Sequence, residues 1–318
     1  MRTTGEPLVI PATDGRCLSA CAWMGPEAAA RAVVFLPAMG APQGYASALA
    51  SWLATRGWGA VTFDYRGIGA SWLREDYRAI TVDDWIHRDL PAVILAIRRL
   101  TGCRFLGVIA HSVGGQIFGQ SPACANVDGA VFLGAQHGVP RFFRGRGRAR
   151  IEYAYRVFPV VVRLLGHVPT SSITFPDRVP PRALIQWIRW GREGVFRDAG
   201  GRDTGMDFGR YTGRLVAARV ADDAQYAPEA AVEALTRLYK SASLSRVVLH
   251  PKEFGVERVG HFGLFSRRAP RLLWSRIESW LREMSESPEY VDPAGSAAGA
   301  TGLAHAVARS GAPLTEHH

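Results

Sequence analysis

Short apolar runs alternate with amphipathic helical patterns through the first part of the chain. The continuous apolar run 32–36 is typical of a strand that is buried on both faces. Apolar positions at helical spacing predict a helix over 44–56. Further strands are predicted at 60–63, 105–110 and 129–133. Because strands alternate with helices, we expect an α/β fold with a mostly parallel twisted sheet and helices on both faces.

This alternation stops near the middle of the chain and resumes later. The segment 140–214 instead contains an amphipathic helix, predicted from apolar residues at helical spacing: Ile151, Tyr155, Phe158, Val162 and Leu165. We therefore predict a core formed by residues 1–139 and 215–284, with 140–214 as a helical insertion. Residues 285–318 are rich in Ala, Gly, Ser and Pro and are predicted to be a disordered tail.

The composition is that of an ordinary globular protein, with 47% hydrophobic and 21% charged residues, and a net charge of +10. Fifteen arginines and six acidic residues lie in 139–215, so most of the positive charge belongs to the insertion. These arginines suit either a solvated face or attraction of an anionic substrate such as an acyl thioester carrier. No nucleic-acid-binding motif accompanies them, and we expect no nucleic-acid partner.

Other classes of protein are disfavoured by missing patterns. The sequence has no stretch of about 18 uncharged apolar residues, and residues 1–7 lack the apolar core of a signal peptide. We therefore expect no membrane span and a cytoplasmic protein. Cys17, Cys21, Cys103 and Cys124 form no ligand pattern and are expected to be small buried residues without disulfides. No metal-ligand spacing or nucleotide-binding loop occurs, so no metal or cofactor is expected.

A serine occupies a sharp turn between a buried strand and a helix. The strand 105–110 leads into His111 and Ser112, and Gly114 then begins the helix. This context is typical of a nucleophile elbow, which lifts a serine hydroxyl above the edge of a sheet. The turn needs small residues two positions before and after the serine, and here they are Ala110 and Gly114. We therefore predict Ser112 as a nucleophile.

Together with other motifs, this turn gives the chain a resemblance to a known family. It resembles the α/β-hydrolase-fold serine hydrolases of the serine-aminopeptidase-like branch, and more closely a bacterial group described only as predicted α/β hydrolases. The matching segments are 36–40, 64–71, 111–115, 222–228 and 260–263. The resemblance implies an α/β-hydrolase fold in which the insertion takes the place of a helical lid. It indicates little about the substrate, because this fold hosts many reactions.

A serine hydroxyl needs a base that is itself held by an acid. The family order is Ser, then acid, then His. Among the nine histidines, His261 follows the last strand in a glycine-flanked loop, and we predict it to be the base. Asp222 and Asp223 both follow the strand 215–220 and both qualify as the acid. The spacing does not choose between them, and Asp223 is favoured because it is nearer the apolar anchor of its loop.

Two backbone N–H groups are expected to form an oxyanion hole. By position they belong to Val113 and Met39, where many relatives have His-Gly instead of Ala38-Met39. The Met39 side chain would add an apolar wall, or serve only in packing. In the insertion, Phe158 and Trp187 are candidate substrate-lining residues, and packing onto the core is the alternative.

The sequence thus predicts a serine hydrolase that cleaves an ester or related acyl bond of a mostly apolar small molecule through an acyl-enzyme. A carboxylic ester is the favoured bond, ahead of a thioester or a peptide. Transfer of the acyl group to an alcohol or amine is an alternative, because an apolar lid excludes water. A non-catalytic scaffold is a third hypothesis. It is disfavoured by the intact set of candidate catalytic residues: Ser112, Asp222 or Asp223, and His261. The sequence carries no signal for an oligomeric state.

Overall fold

A central sheet of eight strands organises the structure, a computed structural model that describes residues 4–72, 74–170 and 175–286. The strands are β1 (Glu6–Pro11), β2 (Cys17–Met24), β3 (Arg31–Leu36), β4 (Gly59–Phe63), β5 (Phe105–His111), β6 (Gly129–Leu133), β7 (Arg214–Val220) and β8 (Ser243–Leu249). Their order across the sheet is β1-β2-β4-β3-β5-β6-β7-β8. The predicted tail lies, except for residues 285 and 286, outside the described residues.

The sheet is mostly parallel, as the sequence predicts. β2 pairs antiparallel with β1 and β4, and every other neighbouring pair of strands is parallel. Every residue of β3, β4, β5 and β6 is buried. Their uninterrupted apolar runs follow from this position, because helices cover both faces of these strands.

Helices and short 3₁₀ turns connect the strands. The helices are α1 (Ser47–Thr55), α2 (Val82–Asp84), α3 (Leu90–Thr101), α4 (Val113–Gln120), α5 (Gly145–Leu165), α6 (Pro181–Glu193), α7 (Glu229–Thr236), α8 (Gly260–Gly263) and α9 (Arg271–Ser285). A π-helical turn, Trp85–Asp89, joins α2 to α3. The 3₁₀ turns are Gln43–Ala46, Gly69–Ser71, Tyr77–Ala79, Pro122–Asn126, Pro140–Phe142, Gly205–Arg210 and Pro251–Phe254.

The core has one layer on each face of the sheet. On one face, α1 and α9 contribute Leu49, Leu53 and Ile277 to a buried apolar cluster. On the other face, α3, α4 and α7 contribute to a second cluster, which also takes in residues of the insertion. This arrangement confirms the predicted α/β fold with helices on both faces. No helix in the described ranges is long and apolar enough to cross a membrane.

The insertion supplies α5 and α6, and the face predicted for α5 is only partly buried. Ile151 and Tyr155 are buried in the core, and Phe158 and Val162 are half-buried. Leu165, predicted on the same face, is 56% exposed. It is the last residue of the helix, where the chain turns away at the next residue, a glycine of positive φ.

The expectation of four buried cysteines is wrong for two of them. Cys103 and Cys124 are buried, but Cys17 is exposed and Cys21 is half-buried. Both of these residues lie on β2, near the edge of the sheet. Because side chains alternate between the two faces of a strand, they share its less covered face while Leu18 and its alternate neighbours point into the core.

Candidate active site

Ser112 lies at the junction of β5 and α4 in a backbone conformation that L-residues rarely adopt. Its φ and ψ are 53° and −116°. The tight turn depends on the glycines that follow. A Cβ on Gly114 would lie 2.7 Å from the carbonyl oxygen of Leu36, and one on Gly115 would lie 2.6 Å from the Cβ of Ala135. Only glycine therefore lets α4 approach β3 and β6 closely enough to form this turn.

His261 and Asp223 form a buried pair beyond the ends of β8 and β7. The Nδ1 atom of His261 is 2.6 Å from Oδ2 of Asp223. Both side chains are almost fully buried. Opposite a carboxylate, Nδ1–H donates a hydrogen bond, and this tautomer leaves Nε2 as an acceptor. His261 lies in the one-turn helix α8, where the sequence predicts a flexible loop.

Asp222 has a different set of contacts from its neighbour. Its carboxylate accepts hydrogen bonds from the backbone N–H groups of Val259 and Gly260, each 3.0 Å away. It therefore holds the backbone just before His261, whereas Asp223 contacts the imidazole itself. The two acids that the spacing cannot distinguish thus differ clearly in geometry.

Aromatic side chains enclose His261. The ring of Tyr226 stacks on it, with centroids 5.0 Å apart and an interplanar angle of 18°. The ring of His111 lies 4.5 Å from it, and Nε2 of His111 is 3.1 Å from the carbonyl oxygen of His261. Burial, together with the nearby His261, holds the pKa of His111 well below its ordinary value. His111 is therefore a neutral support behind His261 at physiological pH.

The two predicted oxyanion-hole positions both lie beside the serine. Val113 is the first residue of α4. Its backbone N–H therefore has no acceptor within the helix and lies at the positive end of the helix dipole. Met39 follows β3 and lines the same cavity as Ser112. Its loop is held by Asp64, whose carboxylate accepts hydrogen bonds from the N–H groups of Gln43 and Ala70 at 2.6 and 3.0 Å. The motif that begins at Asp64 thus has a structural part in positioning this loop.

One cavity of about 380 Å³ connects these residues with the insertion. We call it the Ser112 cavity. Its core wall is formed by Ala38, Met39, Ser112, Gln136, Tyr226, His261 and Phe262. Its insertion wall is formed by Phe143, Arg150, Ile151, Tyr153, Ala154, Phe158, Phe175, Pro176 and Trp187. Both candidate lining residues of the insertion, Phe158 and Trp187, are therefore found at this cavity.

Several lining residues were not anticipated from the sequence, among them Gln136, Arg150 and Tyr226. Gln136 is 6% exposed, and its carboxamide oxygen has no hydrogen-bond partner in the described part of the chain. The guanidinium of Arg150 lies 3.9 Å from the ring centroid of Tyr226 and donates to the carbonyl oxygen of Gln225 at 3.1 Å. A signal existed for Gln136, which follows β6 much as Ser112 follows β5. Arg150 and Tyr226 depend on how the insertion packs, which no local pattern encodes.

Among the residues that the structure describes, no group of three or more His, Cys, Asp or Glu side chains could hold a metal ion. The polar atoms at the Ser112 cavity instead belong to the serine, the histidine, Gln136, Arg150 and two tyrosines. This set can transfer protons and donate hydrogen bonds.

The first part of the chain is similar to a known protein family. The family model described as serine aminopeptidase, S33, matches residues 27–173. The matched segment includes Met39, Ser112 and Val113, and it ends inside the insertion. No curated protein matches the chain.

Solved structures of similar fold extend the likeness over most of the chain. A soluble variant of monoglyceride lipase from Saccharomyces cerevisiae has 13% identity and a TM-score of 0.65, and the match covers 90% of this chain and 96% of that one. An esterase of Pyrococcus furiosus has 14% identity and a TM-score of 0.59, covering 89% and 91% of the two chains. An esterase of Exiguobacterium antarcticum has 16% identity and a TM-score of 0.55, covering 87% and 100%. The predicted resemblance and fold are confirmed.

Proposed function

Starting from an α/β-hydrolase fold, we propose that this chain is a serine hydrolase that cleaves an ester or related acyl bond of a mostly apolar small molecule. One observation carries the proposal: His261, which is hydrogen-bonded to Asp223, lines the same largely apolar cavity as Ser112. A nucleophile, a base and an acid that orients the base are the groups that acyl transfer through an acyl-enzyme requires.

In the proposed mechanism, Oγ of Ser112 attacks the carbonyl carbon of the substrate while Nε2 of His261 takes its proton. Asp223 accepts a hydrogen bond from Nδ1–H of His261, orients the ring and stabilises the imidazolium that forms. The carbonyl oxygen becomes an oxyanion, which the N–H groups of Met39 and Val113 stabilise. As the tetrahedral intermediate collapses, the bond to the alcohol breaks, and the alcohol leaves with the proton from His261.

Release of the acid repeats these steps with water. His261 takes a proton from water, and the resulting hydroxide attacks the carbonyl carbon of the acyl-enzyme. A second tetrahedral intermediate uses the same oxyanion hole. When it collapses, the ester bond to Ser112 breaks and Oγ recovers the proton from His261. No metal or cofactor takes part in this mechanism.

The walls of the cavity support an apolar acyl group as the substrate. Phe158, Trp187 and Met39 present large apolar surfaces close to Ser112. The volume of about 380 Å³ falls in the range of small-molecule sites. We propose that the insertion 140–214 acts as a lid that selects the acyl chain and excludes water.

The same apolar cavity makes acyl transfer a second candidate function. An acyl-enzyme that is shielded from water persists long enough for an alcohol or amine to replace water as the attacking group. Hydrolysis is the simpler proposal, because it needs no second substrate.

A panel of p-nitrophenyl esters with increasing acyl chain length tests the proposal. We expect measurable turnover with a preferred chain length. Adding an acceptor alcohol distinguishes the two candidate functions, since a transferase forms a new ester at the expense of free acid. Absence of turnover with every ester, in a protein that is shown to be folded, would contradict both.

A further inference from the structure

Helix α5 presents an apolar stripe to solvent. Tyr153, Val160 and Leu164 are 61%, 56% and 76% exposed, and the half-buried Val157 lies between them. Their spacing places all four on one side of the helix, and we call them the exposed stripe. Exposed apolar residues that occur singly are ordinary, whereas a contiguous apolar surface marks an interaction site.

The exposed stripe is additional to the apolar face that α5 needs for folding. Ile151 and Tyr155 are buried in the core, and Phe158 lines the Ser112 cavity. A helix that only covered a cavity would need this one face. The opposite side would then be expected to carry polar residues. The second apolar face therefore calls for a partner outside the described chain.

Positive charge accompanies the exposed stripe. Helix α5 contains five arginines, and its one acidic residue is Glu152. Arg156 and Arg163 are both exposed and follow Tyr153 and Val160 by three residues, so they lie beside the stripe. Arg156 lies 3.6 Å from Glu152, which also pairs with Arg148. An apolar face bordered by arginines is the pattern of a helix that lies in a membrane interface.

The exposed stripe shares one residue with the wall of the Ser112 cavity. Tyr153 is both exposed and part of the cavity wall. Phe262, on the core wall, is 39% exposed as well. An apolar surface thus continues from the outside of α5 to the cavity that contains the serine.

We propose that the exposed stripe docks α5 on an anionic lipid surface, and that an acyl ester dissolved there enters the Ser112 cavity beside Tyr153. The identity of the substrate rests on the proposed function, whereas docking itself does not. A lipid surface is favoured over a second copy of this chain by charge. Pairing two copies of α5 would bring like charges together, while anionic headgroups attract the arginines.

Vesicle flotation with the Ser112→Ala protein measures docking without any hydrolysis of the lipid. We expect binding to vesicles of phosphatidylcholine mixed with phosphatidylglycerol, and weaker binding at high salt. Adding Val160→Asp and Leu164→Asp should weaken binding by about 100-fold, because two apolar side chains no longer enter the interface. The matched control is Leu272→Asp, since Leu272 is 60% exposed on α9, on the other face of the sheet, and binding should not change.

The arginines provide an independent test. Replacing Arg156 and Arg163 with glutamine should weaken binding to the anionic vesicles by roughly 30-fold, at about fivefold for each charge. Binding to vesicles of phosphatidylcholine alone should be nearly unaffected. Equal losses on both kinds of vesicle would overturn the role of charge.

Activity separates failure of the docking from failure of the proposed function. In the catalytically intact protein, Val160→Asp with Leu164→Asp should retain hydrolysis of a short soluble ester and lose most hydrolysis of an ester embedded in vesicles. Hydrolysis of soluble esters by a protein that does not bind vesicles would overturn the docking alone. Sedimentation that shows a dimer dissociated by these two substitutions would overturn it in favour of a second copy. Vesicle binding without any esterase activity would support the docking and contradict the proposed function.

Discussion

The two walls of the Ser112 cavity differ in the elements that carry them and in their chemistry. The core wall follows the ends of strands: Met39 comes after β3, Ser112 after β5, Gln136 after β6 and His261 after β8. The insertion wall comes from α5, α6 and the chain around them, and most of its side chains are apolar. The side chains that are able to transfer protons thus lie mainly on the core wall, and most of the apolar surface lies on the insertion wall.

This difference follows from what each region can fix in space. Parallel strands in register bring their carboxyl ends to one edge of the sheet, and residues far apart in sequence meet there within hydrogen-bond distance. Such precision suits catalysis, because small displacements of the reacting groups are costly. The insertion wall is held mainly by packing, as between Phe158 and Phe175, whose ring centroids are 5.8 Å apart. We infer that the core wall performs the reaction and the insertion wall selects the substrate.

The largest expected effect is that of Ser112→Ala on the core wall. It should reduce hydrolysis of short p-nitrophenyl esters by roughly 10³-fold or more while the fold is retained. Turnover and the circular dichroism spectrum are compared with those of the unaltered protein. Undiminished turnover would mean that the reaction does not depend on the core wall.

Substitutions of the two neighbouring aspartates test which of them is the acid that holds His261. Asp223→Asn should lower kcat by about 10²- to 10³-fold, because the amide no longer holds His261 in the right tautomer. Asp222→Asn is the matched control. Its remaining carbonyl oxygen can still accept from Val259 and Gly260, and we expect a loss of less than about tenfold. If Asp222→Asn is the more damaged variant, the assignment of the acid is wrong.

The contact between the core and the insertion should make the stability of the protein depend on pH. His137 follows β6 and packs against Phe196 and Phe142 of the insertion, at centroid distances of 4.6 and 6.1 Å. Burial, helped by Arg141, lowers the pKa of His137 to about 4. The unfolded chain therefore binds more protons between pH 6.5 and 4, and stability falls as the pH drops through this window, by up to about 3 kcal/mol.

Urea unfolding at several pH values measures this effect. The free energy of unfolding of His137→Gln should fall less between pH 6.5 and 4 than that of the unaltered protein. We compare the slopes of the free energy of unfolding against pH, because the substitution also changes packing and hence the free energy itself. His111 contributes to the slopes of both proteins in the same direction. Parallel slopes would show that His137 does not govern the acid response.

The insertion wall should control selectivity more than reactivity. Phe158→Ala or Trp187→Ala should change the preference among acyl chain lengths by about 5- to 150-fold, the equivalent of 1–3 kcal/mol of lost apolar contact. The measurement is kcat/KM across the ester series, together with the labelling rate of a small fluorophosphonate probe. Ile185→Ala, a substitution on α6 outside the Ser112 cavity, is the control. Equal losses with every ester and with the probe would mean that these residues only stabilise the fold.

The sequence predicted the sheet and the sharp strand-to-helix turn at Ser112 well, because both have strong local signals. Parallel strands that are buried on both faces have continuous apolar runs in the sequence. The turn at Ser112 needs small residues at fixed positions. It could not choose between Asp222 and Asp223, because adjacent residues on a turn point in different directions that the spacing does not encode. In the structure, Asp223 contacts the imidazole of His261, and Asp222 contacts the backbone just before it.

Features that depend on tertiary packing were missed. Helical spacing put Leu165 on the buried face of α5, yet it is exposed, because the helix ends there. Arg150 and Tyr226 contact each other at the cavity only because α5 packs beside the turn after β7. Local patterns identify which face of a helix is apolar, but not which part of the core that face meets.

Covalent labelling tests the central claim most directly. The intact protein is treated with a fluorophosphonate, which reacts with activated serines, and the modified peptide is identified by mass spectrometry. We predict a single adduct on Ser112, its absence in Ser112→Ala, and much slower labelling in Asp223→Asn. Stoichiometric labelling of another residue, or undiminished labelling of Ser112→Ala, would contradict the assignment of Ser112 as the nucleophile.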